Sequence, residues 1–181
     1  MIQKVITGGE TGAEQAAWTA ARRAGIATEG YMPRRFQTET GPEPRLGALY
    51  GGIEFPFDEA RRIRANLRRA EGLFWIGDAD SPRALAAFEA CRELAKPFFT
   101  IDLRFTPPTE AAHWLSIFGT TSLVITGDPA SKSPGIGQGV EVFLERVFTA
   151  LRRLDAQGKA SRRGGIKRPG DPNNPPATPK P

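Results

Sequence analysis

Three stretches of this sequence carry the residue types that can do chemistry. In "TGGETGAE" (7–14) a short apolar run ends at Gly8 and Gly9, passes Glu10 and Thr11, turns through Gly12 and enters an alanine-rich helix at Glu14. Glycines allow positive φ and let a ligand approach the backbone closely. The N-terminus of the helix that follows offers free N–H groups and the positive end of its dipole to an anion. The same glycines also suit a tight strand-to-helix turn. Glu10 and Glu14 would repel a phosphate, and fit better as caps of N–H groups or as partners of a ribose hydroxyl. The spacing matches neither a P-loop, with its Gly-Lys-Ser/Thr, nor G-x-G-x-x-G.

The second stretch, "GDADSP" (77–82), places Gly77, Asp78 and Asp80 after the most apolar run of the chain, with Ser81 where a helix begins. Ser81 suits an N-cap. The two acids suit ribose hydroxyls or a hard divalent cation, which prefers oxygen ligands. The third, "TGDPASKSPGIG" (126–137), brings Gly127, Ser131, Lys132 and Ser133 ahead of the last helix. A lysine with hydroxyls and free N–H groups makes an anion clamp; the plainer reading is a turn into a helix. Arg83 and Arg104 are the other cations near these loops. On "ARRIRANLRRA" (60–70), Arg62 and Asn66 stand four apart and share a helix face; the rest of that charge run reads as a solvated face.

These residues need a scaffold, and apolar runs alternating with helical patterns supply one. Strands are expected at 4–7, 27–32, 72–77, 96–103 and 121–127, with a short edge piece at 53–57 because of Pro56. Helices are expected at about 12–24, 58–70 (capped by Asp58), 82–95 (Pro82 at its first position), 108–119 and from Gln138 onward. In the last, Val140, Phe143, Leu144, Val147, Phe148 and Leu151 recur at three- and four-residue steps. Residues 33–52 read as a long loop, of the kind that is usually functional. Trp18, Trp75 and Trp114 read as core or interface. Strand–helix alternation predicts an α/β fold: a Rossmann-like three-layer αβα sandwich with a mostly parallel sheet. In such a sheet the ligand site lies beyond the carboxyl ends of the strands, here the loops after residues 7, 77, 103 and 127.

The 181 residues fit one domain, 1–155, followed by a basic Pro/Gly-rich tail, 156–181, expected to be disordered. The net charge of +5 is concentrated there: residues 155–181 contribute +4, leaving 19 basic and 18 acidic side chains in 1–154. A basic nucleic-acid groove is therefore not indicated in the folded part; only the tail cluster Arg162, Arg163, Lys167 and Arg168 offers weak contact with RNA or membrane. One cysteine, Cys91, and one histidine, His113, exclude a disulfide framework and argue against a Cys/His zinc site. Both are expected on helices away from the loops, so no catalytic residue and no metal ligand is assigned. The start lacks a signal-peptide pattern and no apolar run spans a bilayer, so a cytoplasmic protein is expected.

The opening "VITGGETGAEQAAWTAARRAGI" resembles the V-I-S-G-G-Q-T-G-x-D-x-A-A-L-x-A-A-x-x-x-G-I start of the putative molybdenum carrier family, a circularly permuted YpsA-like branch of the SLOG superfamily of Rossmann-like nucleotide-binding proteins. The resemblance continues in order through "GYMP" (30–33), Arg62 and Asn66 with Glu71 nearby, "WIGDADSP" (75–82), Lys96 with Pro97, and "SKSPGI" (131–136), covering about 4–150. It implies a parallel sheet, self-association as a homo-oligomer, and an anionic or nucleotide-like ligand, with molybdenum cofactor or molybdate as the implied cargo. The ligand-binding residues so implied are those of the three loops named above with Arg62, Asn66 and Arg83. The sequence departs from the family at Glu10 (usually Gln), Glu14 (Asp), Arg83 and Ala84 (Gly then Thr), Val124 (Asn) and Pro129 (Arg). Arg83 then either replaces backbone donors with a charged one or fills the site. Two other functions compete. One is a phosphoribohydrolase-like nucleotide-processing enzyme of the superfamily, using Asp78, Asp80 or Glu14 with Arg62 or Arg83, although the P-G-G-x-G-T-x-x-E signature is absent. The other is a scaffold acting through the tail.

Overall fold

The structure is a computed structural model that describes residues 1–164, with side chains through 158. In chain order its elements are β1 (Lys4–Ile6), α1 (Ala13–Arg23), β2 (Ala27–Met32), a 3-10 turn (Arg34–Phe36), β3 (Gln37–Thr38), β4 (Gly41–Pro42), α2 (Arg45–Tyr50) and β5 (Gly52–Glu54). Then follow α3 (Glu59–Arg68), β6 (Gly72–Ile76), α4 (Pro82–Glu93), β7 (Phe98–Ile101), α5 (Pro108–Phe118), β8 (Ser122–Gly127) and α6 (Ile136–Gly164). Six strands form one sheet in the order β5-β2-β1-β8-β6-β7, and every neighbouring pair is parallel. The expected three-layer α/β sandwich is the observed one.

Because side chains alternate across a strand, each central strand feeds two cores. Val5, Phe74, Ile76, Leu123 and Ile125 face one way, onto α1, α5 and α6 with Trp18, Leu115, Val140 and Leu144. Ile6, Leu73, Trp75 and Val124 face the other way, onto α3 and α4 with Leu67, Ala87, Phe88 and Cys91. All of β6 is buried, which is why its sequence is a continuous apolar run rather than an alternating one. The expected caps are present: the Asp58 carboxylate accepts from Arg61 N at 2.8 Å and Ser81 Oγ from Ala84 N at 3.3 Å.

Two expectations are corrected. Residues 33–52 are not an irregular loop: they fold into the 3-10 turn, the β3–β4 hairpin and the short helix α2. Phe36 and Tyr50 pack onto the main core and Leu46 is buried in it, so local apolar anchors order a segment whose Gly and Pro content suggested a loop. The last helix runs on through 156–164, residues assigned above to the tail; 165–181, with Lys167 and Arg168, lie outside the described residues. Among the described residues, no helix is long and apolar enough to cross a membrane.

Candidate functional site

The sheet topology brings the three singled-out stretches to one end of the molecule. The loop after β1 meets the loop after β8 backbone to backbone, with Ala13 N donating to Asp128 O at 3.2 Å. A Cβ on Gly12 would lie 2.7 Å from both Ala130 N and Asp128 O, so only glycine allows this approach. The loop after β6 meets the loop after β8 through the Asp128 side chain. Asp78 N donates to Asp128 Oδ2 at 3.0 Å, and a Cβ on Gly77 would strike that carboxylate at 2.5 Å.

The charges at these loops are mostly spent on one another. Glu14, at the start of α1, is 2 % exposed. Its carboxylate accepts from Arg83 Nη2 at 2.7 Å, from the Thr126 hydroxyl, and from Glu10 N at 2.9 Å. Burial pushes this carboxyl up, but Arg83, the Thr126 hydroxyl, the Glu10 N–H and Arg62 together outweigh it and hold it below the usual range. Arg83 in turn donates Nε to Glu59 at 2.7 Å and Nη1 to Gly127 O at 3.0 Å. Of the two roles open to Arg83, it takes the filling one. The cavity it shares with Gly8, Glu14, Arg62, Ile63, Asn66, Val124 and Thr126 is reduced to about 10 Å³, scarcely the space of one water.

Lys132 is likewise engaged, with Nζ 2.9 Å from Asp78 Oδ2 and 3.4 Å from Asp128 Oδ1. The Lys132 hydrogen bond lowers the Asp78 carboxyl, and the same bond raises the Lys132 ammonium. Ser133 Oγ donates to Asp128 Oδ2 at 3.1 Å. Asp80 N donates to Asp78 Oδ1 at 3.0 Å, which makes a local turn. Ser81 Oγ, besides capping α4, donates to Asp78 O at 2.9 Å. Glu10 caps N–H groups, its Oε1 accepting from Thr11 N and from Glu39 N, both at 2.9 Å. Gly9 N donates to Thr7 Oγ1 at 3.1 Å. Asn66 shares its face of α3 with Arg62 as expected. Its amide, however, brackets the Tyr31 backbone, accepting from N at 2.8 Å and donating to O at 3.3 Å, which ties α3 to β2.

Two features bear on ligand binding: a cation at the closed cavity and an open cleft beside it. Among the described residues, Arg62 has no side-chain hydrogen bond or ion pair, unlike Arg83, Arg104 and Lys132; a Cβ on Gly8 would lie 2.8 Å from Glu14 Oε2 and 3.6 Å from Arg62 Nε, so both side chains stand beside the Gly8 backbone. A cleft of about 770 Å³ opens at the ends of β6, β7 and β8, with Asp78, Asp102, Arg104, Asp128, Ser133 and Ile136 among its walls. That volume is in the range of small-molecule and cofactor pockets, about 300–1,000 Å³. The two features share the end of β8, since Thr126 lines the closed cavity and Asp128 the open cleft.

Sequence reasoning missed Asp128, which is 4 % exposed and organises both neighbouring loops. Its signal was legible: Gly127-Asp128 repeats, at the end of β8, the Gly77-Asp78 step at the end of β6. Glu39 and Glu59 were missed without any local signal, because their partners lie far away in the chain. Cys91 is buried with its thiol pushed up to about 12 by desolvation, and His113 is exposed on α5. Neither lies at the strand ends.

The order and content of these loops match a known group of proteins. A model of the circularly permutated YpsA SLOG family matches residues 5–148. The chain belongs to that family. Among solved structures, the SLOG fold seen here is similar to the 1.45 Å crystal structure titled putative molybdenum carrier protein from Syntrophus aciditrophicus SB. The TM-score is 0.72 and the identity 29 %, over 81 % of this chain and 94 % of that one. No curated protein matches the chain. The family resemblance read from "VITGGETG", "WIGDADSP" and "SKSPGI" is thereby shown.

Proposed function

We propose that this SLOG protein binds and carries a small anionic ligand at the carboxyl ends of its strands: molybdate, molybdenum cofactor or a nucleotide. The observation that carries the reading is Arg62, a guanidinium with no hydrogen-bonded or ion-paired partner among the described residues, beside Gly8 and Glu14, in a cluster whose other cations are neutralised. The adjoining cleft supplies room for the rest of a cofactor-sized molecule. The name of the Syntrophus protein and the family membership support molybdenum as the cargo. Self-association and a cytoplasmic setting belong to the same reading. The phosphoribohydrolase alternative is disfavoured by the geometry, because its candidate carboxylate Glu14 is buried in an ion pair with Arg83 and Asp78 is paired with Lys132.

A ligand that binds only the folded chain stabilises it by mass action, by about 2.7 kcal/mol at a hundred times its Kd. A thermal-shift series with molybdate and AMP is expected to raise the melting temperature of the wild type. Arg62→Ala is expected to need at least about tenfold more ligand for the same shift, given the usual strength of a hydrogen bond to a charged group. No shift with either ligand at millimolar concentration would count against the reading.

A further inference from the structure

The β3–β4 hairpin brings a carboxylate of the chain itself into an oxyanion cradle. Glu39, at its tip, accepts from the Thr11 hydroxyl and from Ser131 N (3.1 Å) on Oε1, and from the Ser131 hydroxyl on Oε2. The donors come from two different strand-end loops, and Ser131 grips both oxygens through its N–H and its hydroxyl. Such a set suits any oxyanion with two accessible oxygens, a phosphate or molybdate as well as a carboxylate. These hydrogen bonds hold the Glu39 carboxyl below the usual range, the one from Ser131 most.

Two further observations make this contact a latch rather than a fixed strut. First, Glu39 and Thr40 are exposed, and every described hydrogen bond from the tip to the strand-end loops runs through Glu39, counting its N–H to Glu10. An exposed hydrogen-bonded carboxylate exchanges readily with solvent or with a competing anion. Second, the chain enters the hairpin through two consecutive non-glycine residues in the left-handed region, Arg35 (φ 59) and Phe36 (φ 54), a strained conformation of the kind that collects at clamps and switches. The apolar anchors of the segment lie away from the tip, at Phe36, Leu46 and Tyr50; within the hairpin Thr38 is buried, and its hydroxyl bonds only to Thr40 and Gly41 of the hairpin itself.

We infer that Glu39 is a built-in competitor: in the ligand-free chain its carboxylate occupies the Thr11–Ser131 cradle, and an incoming tetrahedral oxyanion displaces it and lifts the 37–42 hairpin. This rests on the anion-carrier reading above. It adds the subsite that takes the oxyanion and the segment that must move.

The test combines calorimetric titration with hydrogen–deuterium exchange, using molybdate, inorganic phosphate and AMP as separate probes that distinguish a free oxyanion from a nucleotide phosphate. A cradle occupied in cis nine-tenths of the time weakens apparent affinity about tenfold. Glu39→Ala is therefore expected to bind at least one probe about tenfold more tightly than wild type, while the charge-matched control Glu43→Gln leaves affinity unchanged. In wild type, saturation with that probe is expected to speed amide exchange across 37–42. The latch is overturned if wild type binds a probe and Glu39→Ala binds it no more tightly, or if saturation leaves exchange at 37–42 unchanged; the carrier reading survives either result. If neither protein binds any probe at millimolar concentration, both fail.

Discussion

Glu14→Ala is expected to destabilise the fold by about 3–5 kcal/mol, the usual cost of leaving one member of a buried ion pair without its partner. The substitution removes the acceptor of Arg83 Nη2, of the Thr126 hydroxyl and of Glu10 N at once. Arg83 keeps Glu59 and Gly127 O, which places the loss toward the lower end. Urea denaturation checks this as a fall in midpoint with an unchanged slope. If the loss comes from the orphaned guanidinium, the double variant Glu14→Leu with Arg83→Met recovers much of it, because apolar groups of similar volume replace a buried pair at little cost. A double variant no more stable than Glu14→Ala would contradict that cause. The same pair sets a pH dependence. Glu14 titrates below its ordinary 4.5 in the folded chain, so the unfolded chain takes up the proton first as pH falls. Its contribution is complete above about pH 4.5 and is lost as pH drops from there through the folded value.

Gly12→Ala is the second large effect. At φ +76 a side chain is strained, and the added Cβ would lie 2.7 Å from two backbone atoms of the loop after β8. Strain of about 1–3 kcal/mol at a disfavoured φ and about 1–3 kcal/mol for overpacking together give roughly 2–6 kcal/mol. Gly25→Ala isolates the first part, since Gly25 has a similar φ of +72 with nothing within 4 Å. Denaturation midpoints of the two variants decide the matter. If Gly12→Ala costs no more than Gly25→Ala, the close approach of the two loops is not as described.

The fold was legible because its signals are local. The apolar run 72–76 marked the most buried strand, Ser81 and Pro82 marked a helix start, and the spacing from Val140 to Leu151 marked α6. The loops were legible for the same reason: glycines after apolar runs identify strand ends. What each charge does there was not legible. Glu14 meets Arg83 across 69 residues and Thr126 across 112, and Glu39 meets Ser131 across 92. Nothing in the local sequence shows that Arg83 fills the cavity beside Gly8, or that Lys132 is claimed by Asp78 and Asp128. The segment 33–52 misled for a related reason. Its glycines and prolines are conspicuous, whereas the packing of Phe36, Leu46 and Tyr50 onto the core exists only once the sheet has formed. The family departures read differently in three dimensions. Glu10 serves as a double N–H acceptor, and Arg83 is a structural ion pair rather than a free anion donor, which leaves Arg62 as the cation to watch.

Chemical-shift mapping with isotope-labelled protein tests the central claim most directly, because it reports both binding and place. Titration with molybdate, and separately with AMP, is expected to give saturable amide shifts for at least one of them. Those shifts should cluster at residues 8–12, 77–81 and 127–133 and at Arg62. Shifts absent at millimolar ligand, or confined to the opposite end of the sheet around Gly25, Lys96 and Thr120, would contradict it.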